Sequence, residues 1–285
     1  MPEIKTLTVI GAGVLGSQIA FQAAFHGFAV TAYDVDAAAL DAARARFTKL
    51  AGIYRAANLP GAADGNAEAA LDKLRLNADL GDAVANADLV IEAAPELLEL
   101  KRDIYRNLAD LAPARTIFAT NSSTLLPSDL KESTGRPDRF LALHYANNIW
   151  AQNIAEVMGT PDTAPAVFDA VVEFARNSGL EPIEIKKERA GYVLNSLLVP
   201  LLNAAAGLLL QGVASPETID KTWRISTGAP SGPFQIFDVV GLGTAYNIAA
   251  SSPDAGSQAF AKYLKDTYID KGKLGVATGE GFYKY

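Results

Sequence analysis

The run Gly11-Ala12-Gly13-Val14-Leu15-Gly16 spaces three glycines as a backbone would need in order to approach a pyrophosphate. Gly11 lets the chain turn sharply off a strand, Gly13 puts no side chain against the phosphates, and Gly16 lets a helix pack close to a sheet. The N–H groups of Val14, Leu15 and Gly16, at a helix N-terminus, then face the anion along the helix dipole. Asp34 lies 18 residues beyond Gly16, near the spacing of about 20 at which a carboxylate meets the adenosine ribose hydroxyls. Its charge repels a 2′-phosphate, so the pattern predicts NAD rather than NADP. A glycine loop alone could be a structural turn. Between the β-branched run Leu7-Thr8-Val9-Ile10 and a helical pattern, with the acid in place, it predicts dinucleotide binding.

Two histidines make the search for a proton-transfer group short. His26 falls in the last turn of a helical pattern just before Gly27, where the dipole favours a cation at the surface. His144 ends the apolar run Phe140-Leu141-Ala142-Leu143, and ligands of open α/β sheets bind beyond the carboxyl ends of strands. An imidazole there titrates near neutrality and could take a hydroxyl proton as hydride leaves the same carbon. A histidine alone in such a place is more often a core residue, but this one has company. Glu156 sits 12 residues on, among the apolar neighbours of Ile154-Ala155-Glu156-Val157. It meets His144 if that run forms a neighbouring strand, and its carboxylate would then fix the imidazole tautomer. Ser123 follows the apolar run Thr116-Ile117-Phe118-Ala119-Thr120; its hydroxyl could bond a substrate oxygen, or with Ser122 cap a turn. Asn195 lies in an apolar helical pattern, where a buried amide without a partner costs roughly 1–3 kcal/mol. Substrate, a catalytic neighbour or another helix could supply that partner.

These residues need a scaffold that brings strand ends together. Strand candidates at 7–10, 29–33, 89–93, 116–120 and 140–144 alternate with helical patterns at 14–26, 36–58, 66–75 and 96–111. Nearly all-apolar strands in such alternation predict a parallel sheet covered on both faces. Ile183-Glu184-Ile185 alternates like a last strand, and Lys186-Lys187-Glu188-Arg189 is a charged junction. Beyond Gly191 helical patterns follow at 191–211, 216–227, 232–240, 242–249 and 256–270. The expected architecture is α/β, a Rossmann-type doubly wound parallel sheet over 1–187 followed by an all-helical C-terminal domain over 188–285.

Composition narrows the partners. The 285 residues are 49% hydrophobic and 20% charged, ordinary for a soluble enzyme. A net charge of −7 and the lack of a basic run argue against nucleic acid. The absence of cysteine excludes disulfides and thiolate catalysis and fits a reducing cytoplasm. No signal-peptide pattern is read at the N-terminus, and a cytoplasmic location is expected. The apolar stretch 193–210 approaches the length of a membrane span, but Asn195, Pro200 and Asn203 interrupt it and no basic anchor flanks it. It reads as a core helix or one buried between subunits, and no membrane partner and no metal are expected.

Taken in order, the motifs resemble the L-3-hydroxyacyl-CoA dehydrogenase family, and of its members most nearly the 3-hydroxybutyryl-CoA dehydrogenases. Besides the glycine loop and the His144/Glu156 pair, the matching segments are Glu92-Ala93-Ala94-Pro95-Glu96 with Lys101, Asn121-Ser122-Ser123, Gly191-Tyr192-Val193-Leu194-Asn195, Gly232-Pro233-Phe234 and Gly279-Glu280-Gly281-Phe282-Tyr283. The resemblance implies the two-domain architecture, NAD as cofactor, a small-molecule acyl-CoA substrate and a homodimer formed through the helical domain. It implies a catalytic His144–Glu156 pair, Ser123 and Asn195 on the substrate, Asn121 on the nicotinamide side, and Glu96 and Lys101 near the cofactor. By their residue types alone, Glu96 and Lys101 could equally be a solvated pair on a helix face.

The resemblance also shows where this chain departs. The family usually follows its histidine with two aromatic residues, Asn and Pro; here the run is His144-Tyr145-Ala146-Asn147-Asn148. The family's lysine-rich CoA-contacting hairpin corresponds to residues 43–77, which carry only Arg44, Arg46, Lys49, Arg55, Lys73 and Arg75. The expected reaction is therefore hydride transfer between NAD and the C3 hydroxyl or keto group of a 3-hydroxyacyl-CoA. A free 3-hydroxy acid or another small carbonyl substrate is the alternative, and an NAD-binding protein without turnover a second.

Overall fold

Runs without a polar face become the middle of a sheet. The strands of the first half are β1 (Thr6–Ile10), β2 (Ala29–Tyr33), β3 (Leu74–Asn77), β4 (Leu89–Glu92), β5 (Ile117–Thr120), β6 (Phe140–Tyr145), β7 (Ile154–Gly159) and β8 (Glu181–Ile185). β4, β5 and β6 are buried at every position, as strands covered by helices on both faces must be. The computed structural model describes residues 3–285. It orders the eight strands β3-β2-β1-β4-β5-β6-β7-β8 in one sheet. On one face lie α1 (Val14–Phe25), α2 (Ala37–Ala56) and α3 (Asn66–Lys73), together with α6 (Pro165–Asn177), around Phe21, Phe47, Tyr54 and Val171. On the other lie α4 (Leu80–Val84) and α5 (Leu98–Leu111), around Tyr105, Leu108, Phe118 and Phe140.

The sheet departs from the sequence reading in one place that matters for function. β1 to β6 pair in parallel, but β7 runs antiparallel to β6, and β8 follows β7 in parallel. The loop 146–153 is too short for a parallel crossover, which takes a dozen or more residues, so the chain must turn back. Two elements differ from expectation as well. The helical pattern 66–75 ends at Lys73, and Leu74–Asn77 is an edge strand whose Leu74 and Leu76 lean on the core while Arg75 is exposed. The helix α6 is missing from the sequence reading, although Pro165 opens it and Val167, Val171 and Phe174 form its buried face.

By packing, the first compact unit ends at Val193 and Leu194–Tyr285 forms the second, whereas the sequence changes character near residue 187. The second unit consists of α7 (Leu194–Leu210), α8 (Pro216–Thr227), α9 (Pro233–Val240), α10 (Leu242–Ser251) and α11 (Ala255–Thr267). Phe234, Phe237, Phe260, Leu264 and Phe282 centre its core. Two buried aspartates tie the chain's last residues to this core. Asp220 accepts the Phe234 and Gln235 N–H groups and the Tyr283 hydroxyl, and Asp238 accepts the Phe282 and Tyr283 N–H groups and the Tyr285 hydroxyl. A Cβ on Gly281 would stand 2.0 Å from the Asp238 carboxylate, so glycine is required there. The helix α7 gives one face to this core, burying Leu202, Ala205 and Ala206, and leaves Leu197, Val199, Leu208 and Leu210 exposed. Among the described residues, no helix is long and apolar enough to cross a membrane.

Candidate active site

The glycine loop joins β1 to α1, and each glycine answers to a different neighbour. Gly11 holds φ +92° and an added Cβ would lie 2.9 Å from the Ala93 carbonyl oxygen. At Gly16 a Cβ would stand 1.8 Å from the Gly11 carbonyl oxygen, so the closest approach is to the turn itself rather than to the sheet behind it. Gly13, the N-cap of α1, has an ordinary φ of −64° and open space around its missing Cβ. No side chain caps the helix, and Val14 in its first turn is exposed. Asp34 directly follows β2, with Oδ2 accepting the Ala12 N–H at 2.9 Å and Oδ1 accepting the Val35 N–H at 2.8 Å. An uncapped helix N-terminus beside an open glycine and an anchored carboxylate fits a dinucleotide.

These contacts separate two glycine substitutions. Gly13→Ala should leave thermal stability unchanged and weaken NADH binding, because only a ligand meets the new methyl. Gly16→Ala should lower both, with overpacking costing about 1–3 kcal/mol. Thermal unfolding beside NADH fluorescence titration checks this, and equal behaviour of the two variants would refute it.

The carboxyl end of β4 carries a buried charge cluster. Glu92 is fully buried and Lys101, from α5, is 1% exposed; their Oε1–Nζ distance is 2.6 Å. Glu92 also accepts the Ala94 N–H and the Thr120 hydroxyl, and Lys101 donates to the Ala94 carbonyl. The Lys101 ammonium lies 3.4 Å from Glu96. Glu96 in turn accepts the Ser122 hydroxyl, the Ser123 and Thr124 N–H groups and the Thr124 hydroxyl. Burial pushes the Glu96 carboxyl up, but the bonds from Ser122 and Thr124 and the nearby Lys101 charge outweigh it and bring it down to about 2. Lys101 and Glu96 are thus not a solvated pair on a helix face. They brace the loop after β5, where Asn121 also accepts the Tyr145 N–H at 3.0 Å.

Three predicted residues meet within this unit. β6 and β7 pair antiparallel with His144 directly opposite Glu156, so a separation of 12 residues becomes a contact. His144 Nδ1 lies 2.9 Å from Glu156 Oε2, and His144 Nε2 lies 3.1 Å from Ser123 Oγ. His144 and Glu156 are 4% and 1% exposed. A carboxylate can only accept, so Nδ1 carries the hydrogen, and an imidazole of that tautomer turns its Nε2 toward Ser123. Because β1, β4, β5 and β6 are parallel and in register, Gly11, Ala93, Ser123 and His144 all emerge at one edge of the sheet.

Residues 6–189 match the family model of the 3-hydroxyacyl-CoA dehydrogenase NAD-binding domain, and residues 191–285 match that of the C-terminal domain. The chain belongs to the 3-hydroxyacyl-CoA dehydrogenase family. It is similar to the mitochondrial hydroxyacyl-coenzyme A dehydrogenase of Rattus norvegicus, 35% identical over 297 residues that cover 99% of this chain and 91% of the relative. It is 32% identical to a probable 3-hydroxybutyryl-CoA dehydrogenase of Bacillus subtilis (strain 168), covering 99% and 98%. A solved diketoreductase, described as acting by substrate-directed dual catalysis of dicarbonyl compounds, matches with 66% identity and a TM-score of 0.96 over 100% of both chains. Like the family, this chain is an NAD-dependent oxidoreductase with a Rossmann domain and a helical C-terminal domain.

Asn195, the fourth residue the family resemblance puts at the substrate, lies in the first turn of α7 in the second unit and is half-buried rather than buried. Three residues escaped the sequence reading as site components. Glu92 could have been found as the one acid closing an all-apolar strand. Gln18 in α1 accepts the Asn148 and Ile149 N–H groups at 2.9 and 3.3 Å, and Tyr192 packs on His144; neither has a local signal. Asn148 itself holds φ +60°. A proline, fixed near −65° and without an N–H, could take neither that conformation nor that bond. The loop after His144 therefore could not keep this backbone with proline at position 148.

Proposed function

We propose that the protein transfers hydride between NAD and the C3 hydroxyl or keto group of a 3-hydroxyacyl-CoA such as hydroxybutyryl-CoA. The carrying observation is the Ser123–His144–Glu156 line at the carboxyl edge of the sheet. In this reading NAD, held at Gly11, Gly13, Val14, Leu15 and Gly16 with Asp34 at the ribose, supplies the hydride acceptor. Ser123 Oγ holds the substrate oxygen, and His144 Nε2 takes its proton as the carbon is oxidised. Glu156 stabilises the resulting imidazolium without itself taking the proton. In the reducing direction the imidazolium returns the proton to the oxygen. Asn195 contacts the substrate, and Asn121, Glu96 and Lys101 shape the nicotinamide side.

A second reading is favoured by two observations, the altered loop at Asn148 and the 66% identity to the diketoreductase. A 3-ketoacyl-CoA is itself a 1,3-dicarbonyl compound, so the same proton and hydride chemistry serves a small diketone or keto acid without CoA. NADH oxidation measured side by side with acetoacetyl-CoA, free acetoacetate and a 1,3-diketo ester separates the readings. Turnover of acetoacetyl-CoA is expected; turnover of the free substrates alone would overturn the thioester assignment, and turnover of none would leave an NAD-binding protein. We further propose a homodimer through the helical domain, supported by the exposed apolar residues of α7. A cytoplasmic location is supported by the absence of cysteine.

A further inference from the structure

The segment Gly191-Tyr192-Val193 touches each member of the Ser123–His144–Glu156 line. The Gly191 N–H donates to the Ser123 carbonyl at 3.1 Å. The Val193 N–H donates to Glu156 Oε1 at 2.9 Å, leaving Oε2 for His144. Between them the Tyr192 ring lies on the His144 imidazole, with centroids 4.4 Å apart and planes 12° from parallel. The Tyr192 hydroxyl reaches past the ring to donate to the Ser122 carbonyl at 2.7 Å. Gly191 and Tyr192 hold φ of +81° and +52°, and a bulky side chain in the left-handed region is uncommon. Tyr192 is nonetheless 1% exposed, so its surroundings over-determine the conformation. A strained residue of this kind beside a reactive group points to function when its contacts explain the strain. Here they do: the left-handed pair swings the phenol across the imidazole and aims the next N–H at Glu156.

We propose that Tyr192 is a positioning residue that fixes the plane of the His144 ring and ties it to the loop carrying Ser123. The proposal rests on the reading of His144 as the proton-transfer group. The packed phenol stops the imidazole from rotating about χ2, which would carry Nε2 away from Ser123 Oγ. The hydroxyl ties the same ring to the Ser122 carbonyl, so the serine loop and the imidazole keep one spacing. The Tyr192 hydroxyl is engaged with the Ser122 carbonyl, so the contribution of the segment is geometric.

The test uses the full-length protein with NADH. Tyr192→Leu removes the ring and the hydroxyl; Tyr192→Phe removes the hydroxyl alone. Misplacing a reacting group by about 1 Å can cost on the order of 10²-fold, so Tyr192→Leu should lower kcat by about that factor with KM and NADH affinity near wild type. Tyr192→Phe, which keeps the ring and loses only the tie to the Ser122 carbonyl, should give a kcat between those of Tyr192→Leu and wild type. The signature that a merely structural role would not produce is this loss of kcat at unchanged KM and NADH affinity in a folded variant; the stack itself is read in the proton spectrum. Shielding by the stacked phenol should move the His144 Cε1 proton upfield in wild type and in Tyr192→Phe, and not in Tyr192→Leu. With two histidines in the chain, a His26→Gln variant assigns the signals. An unshielded His144 proton in the wild-type protein overturns the proposal even if Tyr192→Leu fails to fold. So does a folded Tyr192→Leu with wild-type kcat. Failure of the underlying reading looks different: His144→Ala would retain turnover although the His144 proton of the wild-type protein was shielded.

Discussion

His144→Ala should lower kcat by about 10²–10⁴-fold, the usual contribution of a positioned acid–base group, while NADH should bind with near wild-type affinity. The separation of effects follows from the sheet. The glycine turn and Asp34 belong to β1, β2 and the N-terminus of α1, and their hydrogen bonds run to one another, to Arg46 of α2 and to Asn77 of β3 rather than to β6 or β7. The imidazole is held by β6, β7 and the loop after β5. Removing it leaves Glu156 with the Val193 N–H and Ser123 with no base beside it. The substrate oxygen must then exchange its proton with water as hydride moves. Steady-state assays with acetoacetyl-CoA and with a 1,3-diketo ester, beside an NADH fluorescence titration, measure the two quantities separately. Turnover within a few-fold of wild type on every substrate that the unmutated protein accepts would end the assignment of His144.

Lys101→Met should destabilise the nucleotide-binding half by about 3–5 kcal/mol, because it leaves a buried carboxylate without its counter-charge. Methionine matches the length of the lysine stem, so the loss is of charge and hydrogen bonds rather than of volume. Glu92 would keep the Ala94 N–H and the Thr120 hydroxyl, but a fully buried acid with no cation nearby must either stay charged in a poor medium or take up a proton. Glu96 would lose the same partner. It would then hold the Asn121–Thr124 loop less firmly, so kcat should fall as well. Adding Glu92→Gln to Lys101→Met removes the orphaned charge and should recover a large part of the stability, although not the brace on the loop. Urea unfolding of the two variants measures this. A Lys101→Met protein as stable as wild type would mean that the cluster contributes nothing net, and a double variant less stable than the single would contradict the charge argument.

The features legible in the sequence are those whose physics is local. Three glycines and an acid at set spacings announce a turn, an open helix end and a ribose contact, since each requirement is met within one βαβ unit. Apolar runs without a polar face announce buried parallel strands, and Ser123 and His144 could be placed at strand ends for that reason. The edge strand Leu74–Asn77 was not legible: four residues after a helix, none of them fully buried, continue a helical pattern as well as they begin a strand, and only pairing with Val30–Tyr33 decides between them. Lys101 likewise reads as a surface cation on an amphipathic helix until the acid closing β4 is seen beneath it.

The amino-acid sequence by itself thus determined the kind of sheet, the place of the glycine turn and the short roster of polar residues that could move a proton. Tertiary structure decided which of them meet: that β7 reverses so that Glu156 faces His144, that Glu96 braces the serine loop, and that Tyr192 lies across the imidazole. The reason is physical. Turns and strand burial are set by neighbours a few positions away, whereas a carboxylate, a hydroxyl or an aromatic face takes its partner from whatever the packed chain brings within about 3–4 Å.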